Sequence, residues 1–307
     1  MIEVTGLIFD YPGLRALDDV SFDIERGTVT GLVGPNGAGK TTLLNCMAAL
    51  DRPAAGAVRI AGLDVHDDPR EAHRQLGFLS DFYGLYDQLT VRQCLIYRAG
   101  AQGVAPAQRD GLAASAAERF GLADRMGQTA GTLSRGLRQR LAIAQASLHD
   151  PAVLLLDEPA SGLDPEARIA LAGVLRGLRD GGMTIVVSSH ILAELEDYST
   201  HIMVMREGRV IEHRALAGSG QTGRRVVRVS LARPDARLLD ILRADPLVAD
   251  IADEGQGLRF AYAGDDDHAQ ALLHQLVAAG LPVTGFGADR GGMQDAYLAT
   301  LAKAGRA

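Results

Sequence analysis

Cysteine, lysine and long apolar runs are all scarce in this sequence of 307 residues. The only cysteines are Cys46 and Cys94, which fall in segments that look helical, so we do not expect a disulfide framework or a thiolate metal site. No apolar run approaches the roughly 18 residues that cross a bilayer, and the chain opens at Met1 on a strand-like pattern rather than a signal peptide. These absences predict a cytosolic protein.

A lysine-rich tract is also missing. Lysine occurs only at Lys40 and Lys303, and the net charge is −7, which argues against nucleic acid as the main partner. The composition, 47% hydrophobic and 22% charged, is typical of a soluble globular protein. At this length we expect a larger and a smaller unit.

A glycine-rich loop stands between an apolar run, Val29 to Val33, and a helix-forming segment, Thr42 to Leu50. Its residues, which Thr42 follows, are Gly34, Pro35, Asn36, Gly37, Ala38, Gly39, Lys40 and Thr41. Because glycines adopt backbone conformations closed to residues with a Cβ, consecutive N–H groups can turn inward on an anion at the start of the next helix. Lys40 adds a positive charge, and the Thr41 hydroxyl can ligate Mg²⁺. The pattern predicts a cradle for nucleotide phosphates.

Two predicted apolar strands further along the chain are followed by candidate catalytic or metal-binding residues. The run Ala152 to Leu156 suits the buried middle of a parallel sheet and ends in Asp157 and Glu158, where such sheets bind ligands. Asp157 can hold Mg²⁺ through its water shell, and Glu158 can accept a proton from an attacking water. The second strand, from Ile185, ends in His190. Taken alone, the acids could instead be solvated turn residues and the histidine a structural one.

Ser134 and Tyr11 are two further candidates. Ser134 is placed to cap a helix through Ser147, and the free N–H groups at such a tip attract anions. An ordinary capped helix is the alternative. Tyr11 is predicted to lie in the turn Tyr11-Pro12-Gly13, where an exposed tyrosine could stack on a purine, although packing explains a lone tyrosine more often.

The first part of the chain combines sheet and helix patterns. Residues 1–33 alternate like antiparallel strands. Between Thr90 and Asp150 the pattern changes to helices, of which Thr90 can cap the first and Pro106 can begin the next. We therefore expect a helical subdomain inserted into a sheet-containing core.

Residues 217–223 are rich in glycine and small polar residues, a composition that predicts a linker at a domain boundary. We expect a nucleotide-binding domain at residues 1–214, a linker at 215–223 and an accessory α+β domain at 224–307. The accessory segment carries no cluster of candidate catalytic or ligand-binding residues. We therefore expect it to have a regulatory or assembly role. Its predicted helices are 235–243, 268–279 and 293–303.

Taken in this order and spacing, residues 1–214 resemble the ATP-binding subunit of ABC transporters. The resemblance implies an α/β fold: a P-loop NTPase core with an antiparallel β subdomain and a helical subdomain, here followed by the small α+β domain. By that resemblance the glycine-rich loop is the Walker A motif, and Leu154 to Asp157 belong to Walker B. The implied catalytic residues are Lys40, Glu158 as the catalytic carboxylate, and His190 as the switch histidine. The further implied nucleotide contacts are Tyr11, which stacks on adenine, Ser134 and Gly136 of the signature helix, and Asp164 of the D-loop.

Three residues depart from the family's pattern. Arg135 stands where the signature usually has a second glycine, and Leu137 where it has glutamine. Asp81 occupies the place of the Q-loop glutamine, where it keeps an oxygen ligand for Mg²⁺ but loses the amide donor. A similar aspartate, followed by a stretch like Phe82 to Tyr86, is familiar among sodium-extruding ATPases of the ABC-2 exporter group. Met293 to Leu298 resembles, more loosely, the appendage of multidrug exporters in that group.

The resemblance implies an ATPase that uses ATP and Mg²⁺ and drives export through a separate permease, at the cytoplasmic face of the cell membrane. Two copies would stack head to tail, with ATP between Walker A of one and the signature helix of the other. The permease would dock near residues 81–98. The alternative is a soluble ABC ATPase that remodels nucleic acid, ribosomes or a protein scaffold, while a P-loop kinase would not explain the signature.

Overall fold

The computed structural model describes residues 1–82, 84–216, 225–253, 255 and 257–288. The chain divides into two compact units, one containing Met1–Arg214 and one that begins at Ala215. Each unit has its own hydrophobic core. Tyr83, most of the expected linker, the expected helix at 293–303 and the stretch Met293 to Leu298 lie outside the described residues.

The first unit mixes strands and helices, which confirms the α/β prediction. Its strands are β1 (Ile2–Tyr11), β2 (Leu14–Ile24), β3 (Val29–Val33), β4 (Ala55–Ile60), β5 (Leu63–Asp64), β6 (Leu76–Leu79), β7 (Val153–Leu156), β8 (Thr184–Ser189), β9 (His201–Arg206) and β10 (Arg209–Ala215). Its helices are α1 (Lys40–Met47), α2 (Pro69–Gln75), α3 (Val91–Ala101), α4 (Pro106–Arg119), α5 (Arg135–Ser147), α6 (Pro165–Asp180) and α7 (Leu192–Leu195).

A six-stranded sheet carries the candidate site. Its strand order is β10-β9-β3-β8-β7-β6, and the strands from β9 to β6 in this order pair in parallel. β3, β7 and β8 are buried along their whole length, as expected of strands covered on both faces. Because parallel strands end at the same edge, the glycine-rich loop, Asp157 and His190 all follow the sheet at one side.

A second sheet, of order β2-β1-β4-β5, is antiparallel, as the alternation over residues 1–33 predicts. It shares one hydrophobic core with α1 and the central sheet. Tyr11 pairs with Leu14, so β1 and β2 extend right up to the turn. Tyr11 is therefore the last residue of β1 and also the first residue of the predicted turn, whose central residues are Pro12 and Gly13.

The helices between residues 90 and 150 begin where their sequence signals predict. Thr90 caps α3 through a capping box: its side chain accepts from the Gln93 N–H at 3.2 Å, and Gln93 Oε1 accepts from the Thr90 N–H at 2.8 Å. Helix α4 begins at Pro106. These interactions satisfy N–H groups that the first turn of a helix leaves free.

Helices α2 and α6 were not among the predicted elements, although both carry a start signal. Asp68 and Asp164 are the caps, and a proline occupies the first helical position of each. Asp164 accepts from the Ala167 N–H at 2.8 Å. An acidic cap followed by proline is a strong helix start, because proline has no N–H to satisfy and its backbone already has helical geometry.

The second unit runs in the order β11 (Arg225–Leu231), α8 (Arg237–Ala244), β12 (Val248–Asp253), β13 (Gly257–Tyr262), α9 (Asp266–Ala278) and β14 (Val283–Ala288). Its antiparallel strand order, β12-β13-β11-β14, is that of a ferredoxin-like fold. The α+β prediction is confirmed. Helix α8 begins at Arg237 rather than at residue 235, because Asp235 accepts from the Arg237 N–H at 3.1 Å in a turn before the helix.

Candidate nucleotide site

The glycine-rich loop joins β3 to α1, and two of its glycines are sterically required. Gly39 has a φ of 101°, in the left-handed region. A Cβ on Gly39 would lie 2.6 Å from the carbonyl oxygen of Ala16, and one on Gly34 would lie 2.4 Å from that of Met205. Since these neighbours are backbone atoms, they cannot move aside for a side chain. The loop can therefore lie this close to β2 and β9 only with glycine at both positions.

Lys40 is the first residue of α1 and is only 7% exposed. Its Nζ donates to the carbonyl oxygens of Gly34 at 2.8 Å and Pro35 at 3.3 Å, and lies 4.0 Å from Glu158 Oε1. Burial lowers the pKa of Lys40, and the charges of Glu158 and Asp157 oppose this shift. Lys40 is thus a buried cation held mainly by neutral oxygens, and a bound anion would stabilise it.

Asp157 follows β7 and is only 2% exposed. Its Oδ1 accepts a hydrogen bond from Ser188 Oγ at 2.5 Å, while Oδ2 is buried with no hydrogen-bond partner among the described residues. A buried carboxylate oxygen without a partner is costly unless a cation or a donor approaches it. This oxygen is therefore available to a metal ion or to its water shell.

Glu158 and His190 are hydrogen-bonded to each other. His190 Nδ1 lies 2.8 Å from Glu158 Oε2, and because an ionised carboxylate only accepts, the imidazole N–H is the donor. The Glu158 N–H donates to Ser188 Oγ at 2.8 Å. Glu158 has a φ of 48°, unusual for a residue with a Cβ and costing on the order of 1 kcal/mol. These contacts hold the carboxylate beside Lys40.

A cleft of about 730 Å³ lies at this edge of the sheet. The predicted site residues that line it are Tyr11, Asn36, Gly37, Gly39, Lys40, Thr41, Thr42, Asp81, Glu158 and His190. Gly34 and Pro35 instead hold Lys40 through their carbonyl groups, and Ala38 is buried. The structure thus brings together the glycine-rich loop, both catalytic candidates beyond it, and Asp81.

Ser134, Gly136 and Asp164 line a different cleft, of about 410 Å³, and none of them lines the first. Ser134 caps α5, with its Oγ accepting from the Leu137 N–H at 3.4 Å. A Cβ on Gly136 would lie 2.8 Å from Cβ of Ala167, so the tip of α5 is packed closely against α6. Within one protomer, the predicted nucleotide contacts are therefore divided between two clefts.

The first cleft also has lining residues that the sequence analysis missed. Arg15 on β2 bonds Asp10, its partner across the hairpin, at 2.9 Å. Ser161 and Glu207 border other parts of the cleft. Their sequence surroundings resemble ordinary hairpins and turns. For Arg15, the sequence offered one signal: Asp10 and Arg15 carry opposite charges on either side of the Pro12-Gly13 turn. That pattern predicts a hairpin but not a ligand site.

Comparisons with known proteins bear on this geometry. The family described as ABC transporter matches residues 17–161. The daunorubicin/doxorubicin resistance ATP-binding protein DrrA of Streptomyces peucetius is 31% identical over 301 residues, which cover 97% of this chain and 91% of the relative. The chain belongs to the ATP-binding proteins of ABC transporters. As a member of this family it binds nucleotide and hydrolyses ATP, which confirms the resemblance.

Other ATP-binding proteins of ABC transporters are similar to this chain in sequence or in structure. The ABC transporter ATP-binding protein NatA of Bacillus subtilis is 36% identical over 204 residues, 66% of this chain and 83% of the relative. A dimeric post-hydrolysis structure of the ATP-binding cassette MJ0796 with ADP and Pi has a TM-score of 0.64 and 25% identity, and the match covers 71% of this chain and all of that one. In the described part of this chain, no helix has both the length and the apolar character needed to span a membrane.

Proposed function

We propose that this ATPase powers a separate permease of the ABC-2 exporter type, with ATP bound between two copies stacked head to tail. The division of the nucleotide contacts between two clefts of one protomer carries this proposal. A second copy, turned head to tail, brings an α5 tip to each glycine-rich loop. The tip adds N–H groups and a partial positive charge where the terminal phosphate carries negative charge.

Relatives support export over the alternative of a soluble ATPase that remodels nucleic acid or protein complexes. The relative that matches almost the whole chain is named for resistance to daunorubicin and doxorubicin. The net charge of −7 adds to this, because nucleic-acid binding depends on basic surfaces. In the proposed assembly the protein sits at the cytoplasmic face of the membrane, held there by its permease.

The proposed division of labour along the chain follows the positions of the motifs. Residues 1–214 form the nucleotide-binding domain, residues 215–223 the linker, and residues 224–307 an accessory domain. Both clefts that contain predicted nucleotide contacts lie within the first of these segments.

Nucleotide binding is assigned to the loop, to α1 and to β1. Backbone N–H groups of the glycine-rich loop and of Thr42 surround the phosphates, and Lys40 exchanges its two carbonyl contacts for phosphate oxygens. Exposed Tyr11 borders the cleft and provides an aromatic face for adenine. The base therefore lies at the β1–β2 hairpin and the phosphates at the start of α1.

The residues near the loop fit a magnesium ion. Thr41 offers a hydroxyl group, and Asp81 borders the same cleft as Thr41. The buried Oδ2 of Asp157 has no hydrogen-bond partner in the described part of the chain. These hard oxygen ligands suit Mg²⁺, which binds proteins through a few carboxylates together with phosphates and water. When bound, Mg²⁺ neutralises part of the phosphate charge. Among the described residues, no group of three His, Cys, Asp or Glu side chains could hold a metal, and this agrees with an ion that enters with the nucleotide.

Hydrolysis is assigned to Glu158, His190 and Lys40. The Glu158 carboxylate accepts the proton of the attacking water as general base. His190 Nδ1–H orients this carboxylate through the 2.8 Å hydrogen bond. Lys40 balances charge that develops on the terminal phosphate, and its buried setting makes that effect stronger than in water.

The permease is proposed to dock on residues 81–98. This segment exposes aromatic side chains: Phe82 is 93% exposed, and Tyr86 and Tyr97 are exposed with ring centroids 5.3 Å apart. Exposed aromatic groups that lie close together are typical of protein interfaces. Since Asp81 also borders the nucleotide cleft, this segment connects the cleft with the docking surface.

The test is the Glu158→Gln variant, which keeps the shape of the side chain and removes the proton acceptor. We expect hydrolysis to slow by roughly 10²–10⁴-fold while ATP still binds. Because unhydrolysed ATP then bridges two subunits, light scattering should show a shift from monomer to dimer with ATP but not with ADP. Glu71→Gln, a surface variant on α2, is the matched control and should behave like the unmodified protein.

Two results would contradict the proposal. Normal ATP turnover by Glu158→Gln would place the general base elsewhere. Tight ATP binding by a variant that stays monomeric at every protein concentration would remove the sandwich, and with it the proposed mechanism of coupling to a permease.

A further inference from the structure

Arg135, the residue that replaces the usual signature glycine, is bonded to the turn after Glu158. Its Nη2 donates to the carbonyl oxygen of Ser161 at 2.8 Å. A Cβ on Gly162, which has a φ of 65°, would lie 2.5 Å from the guanidinium carbon, so the arginine occupies space that any other residue at 162 would fill. No carboxylate among the described residues pairs with Arg135, although its side chain is exposed.

The turn that Arg135 contacts carries the general base. The Ser161 N–H donates to the Glu158 carbonyl at 3.1 Å, and both Glu158 and Gly162 have left-handed backbone conformations. At Glu158, which has a Cβ, this conformation is strained, and such strain persists only where surrounding contacts hold it. Ser188 holds the Glu158 end through the bond from the Glu158 N–H, and Arg135 holds the other end through Ser161.

We propose that Arg135 is a positioning residue for hydrolysis, which holds the 158–162 turn and connects the α5 tip with the nucleotide cleft of its own protomer. The part of this proposal that concerns the ATP bound to the partner rests on the proposed head-to-tail dimer. In that dimer the α5 tip faces the partner's ATP, whereas Ser161 borders the protomer's own cleft. Among the described residues, only Nη2 of Arg135 bonds the Ser161 carbonyl, so the other N–H groups of the guanidinium are free to bond a phosphate. ATP bound in one site then steadies the residue that holds the general base of the other.

The experiment compares Arg135→Ala and Arg135→Lys in the full chain. For Arg135→Ala we expect kcat about 10-fold lower, KM for ATP within about 2-fold, and a Hill coefficient that falls from above 1 to 1. Arg135→Lys keeps a charged donor and should restore part of both kcat and cooperativity. Arg176→Gln is the matched control, because Arg176 is also an exposed arginine that bonds a backbone carbonyl, that of Asp197 at 3.4 Å.

A second measurement does not depend on dimerisation. In the nucleotide-free protein, Arg135→Ala should speed amide hydrogen exchange of residues 158–163 and leave β3 unchanged. Unchanged exchange in this turn, or a kcat and Hill coefficient equal to those of the unmodified protein, overturns the inference.

The double variant Arg135→Ala with Glu158→Gln separates this inference from the proposed function. It should still dimerise with ATP, because Ser134 and the N–H groups of the α5 tip remain to bind the partner's nucleotide. Loss of the dimer only in the double variant overturns the positioning role. Failure of Glu158→Gln alone to dimerise instead contradicts the head-to-tail proposal, and leaves the hydrogen-exchange test of Arg135 in place.

Discussion

The two clefts of one protomer differ in what they supply. In the cleft at the glycine-rich loop, the buried Lys40 bonds a carbonyl of the loop and lies near the Glu158 carboxylate. Glu158 is in turn hydrogen-bonded to His190. The cleft at the α5 tip presents a capping serine, a glycine packed against α6 and a capping aspartate. The first contains the groups proposed to bind and cleave a triphosphate, and the second contains those proposed to recognise one. In the proposed assembly, each protomer therefore contributes one part of each of two sites.

Loss of Lys40 should have the largest effect on the loop cleft. Lys40→Ala removes the main fixed positive charge beside the phosphates, so we expect ATP turnover to be abolished and ATP affinity to fall greatly. Isothermal titration calorimetry with Mg-ATP measures the change. Lys303→Ala, at the only other lysine, is the matched control. An unchanged affinity in Lys40→Ala would remove this residue from phosphate binding.

The corresponding change at the α5 tip should affect assembly alone. In the Glu158→Gln background, Ser134→Arg crowds the tip and should abolish the ATP-dependent dimer, while ATP still binds in the loop cleft. Light scattering and calorimetry on the same samples distinguish the two effects. Ser115→Arg, on the exposed side of α4, should keep the dimer. A dimer that persists in Ser134→Arg would show that the tip does not face the nucleotide.

A comparison of the helix caps Thr90 and Ser134 tests whether a cap only stabilises its helix or also recognises the nucleotide. Thr90→Ala should lower the free energy of unfolding by about 1 kcal/mol, because α3 loses its capping box. It should leave the ATP-dependent dimer of Glu158→Gln intact, whereas Ser134→Ala should weaken that dimer at a similar loss of stability. Chemical denaturation gives the stabilities. Equal effects of both substitutions on the dimer would mean that the Ser134 cap has no special role.

Removal of the second unit should have the smallest effect on either cleft. A chain that ends at Gln221 should fold and bind ATP with an affinity within about 2-fold of the full chain, because both clefts lie before this point. Circular dichroism checks the fold, and calorimetry the affinity. A well-folded short chain that fails to bind ATP would show that the second unit completes the site.

Local patterns were enough to predict much of the loop cleft. The spacing of glycines before Lys40 and Thr41 specifies a phosphate loop whatever the rest of the chain does, since the required backbone conformations are properties of those residues. Asp157 and His190 were predicted because a fully apolar strand signals a buried parallel sheet, whose carboxyl edge binds ligands. The Ser134 cap was predicted from its place before a helical segment.

Other site residues depend on pairing between distant segments. Arg15 borders the cleft only because β2 pairs with β1, and Glu207 only because the β9–β10 hairpin reaches it. The same pairing places Tyr11 at the end of β1, opposite Leu14, with Pro12 and Gly13 forming the turn between them. No local property of these residues indicates a ligand.

The sequence alone was enough to predict the local features: a glycine-rich loop, two carboxylates and a histidine at the ends of buried strands, and a capped helix tip. These depend on backbone freedom, strand burial and helix ends, each set within a few neighbouring residues. Only the tertiary structure decided which of these groups share a cleft. It placed Glu158 beside Lys40 and directed Arg135 to Ser161, and among the described residues it left one oxygen of Asp157 without a hydrogen-bond partner. Such distances depend on how strands and helices far apart in the chain pack, because one helix or strand can present the same side chain to many different neighbours.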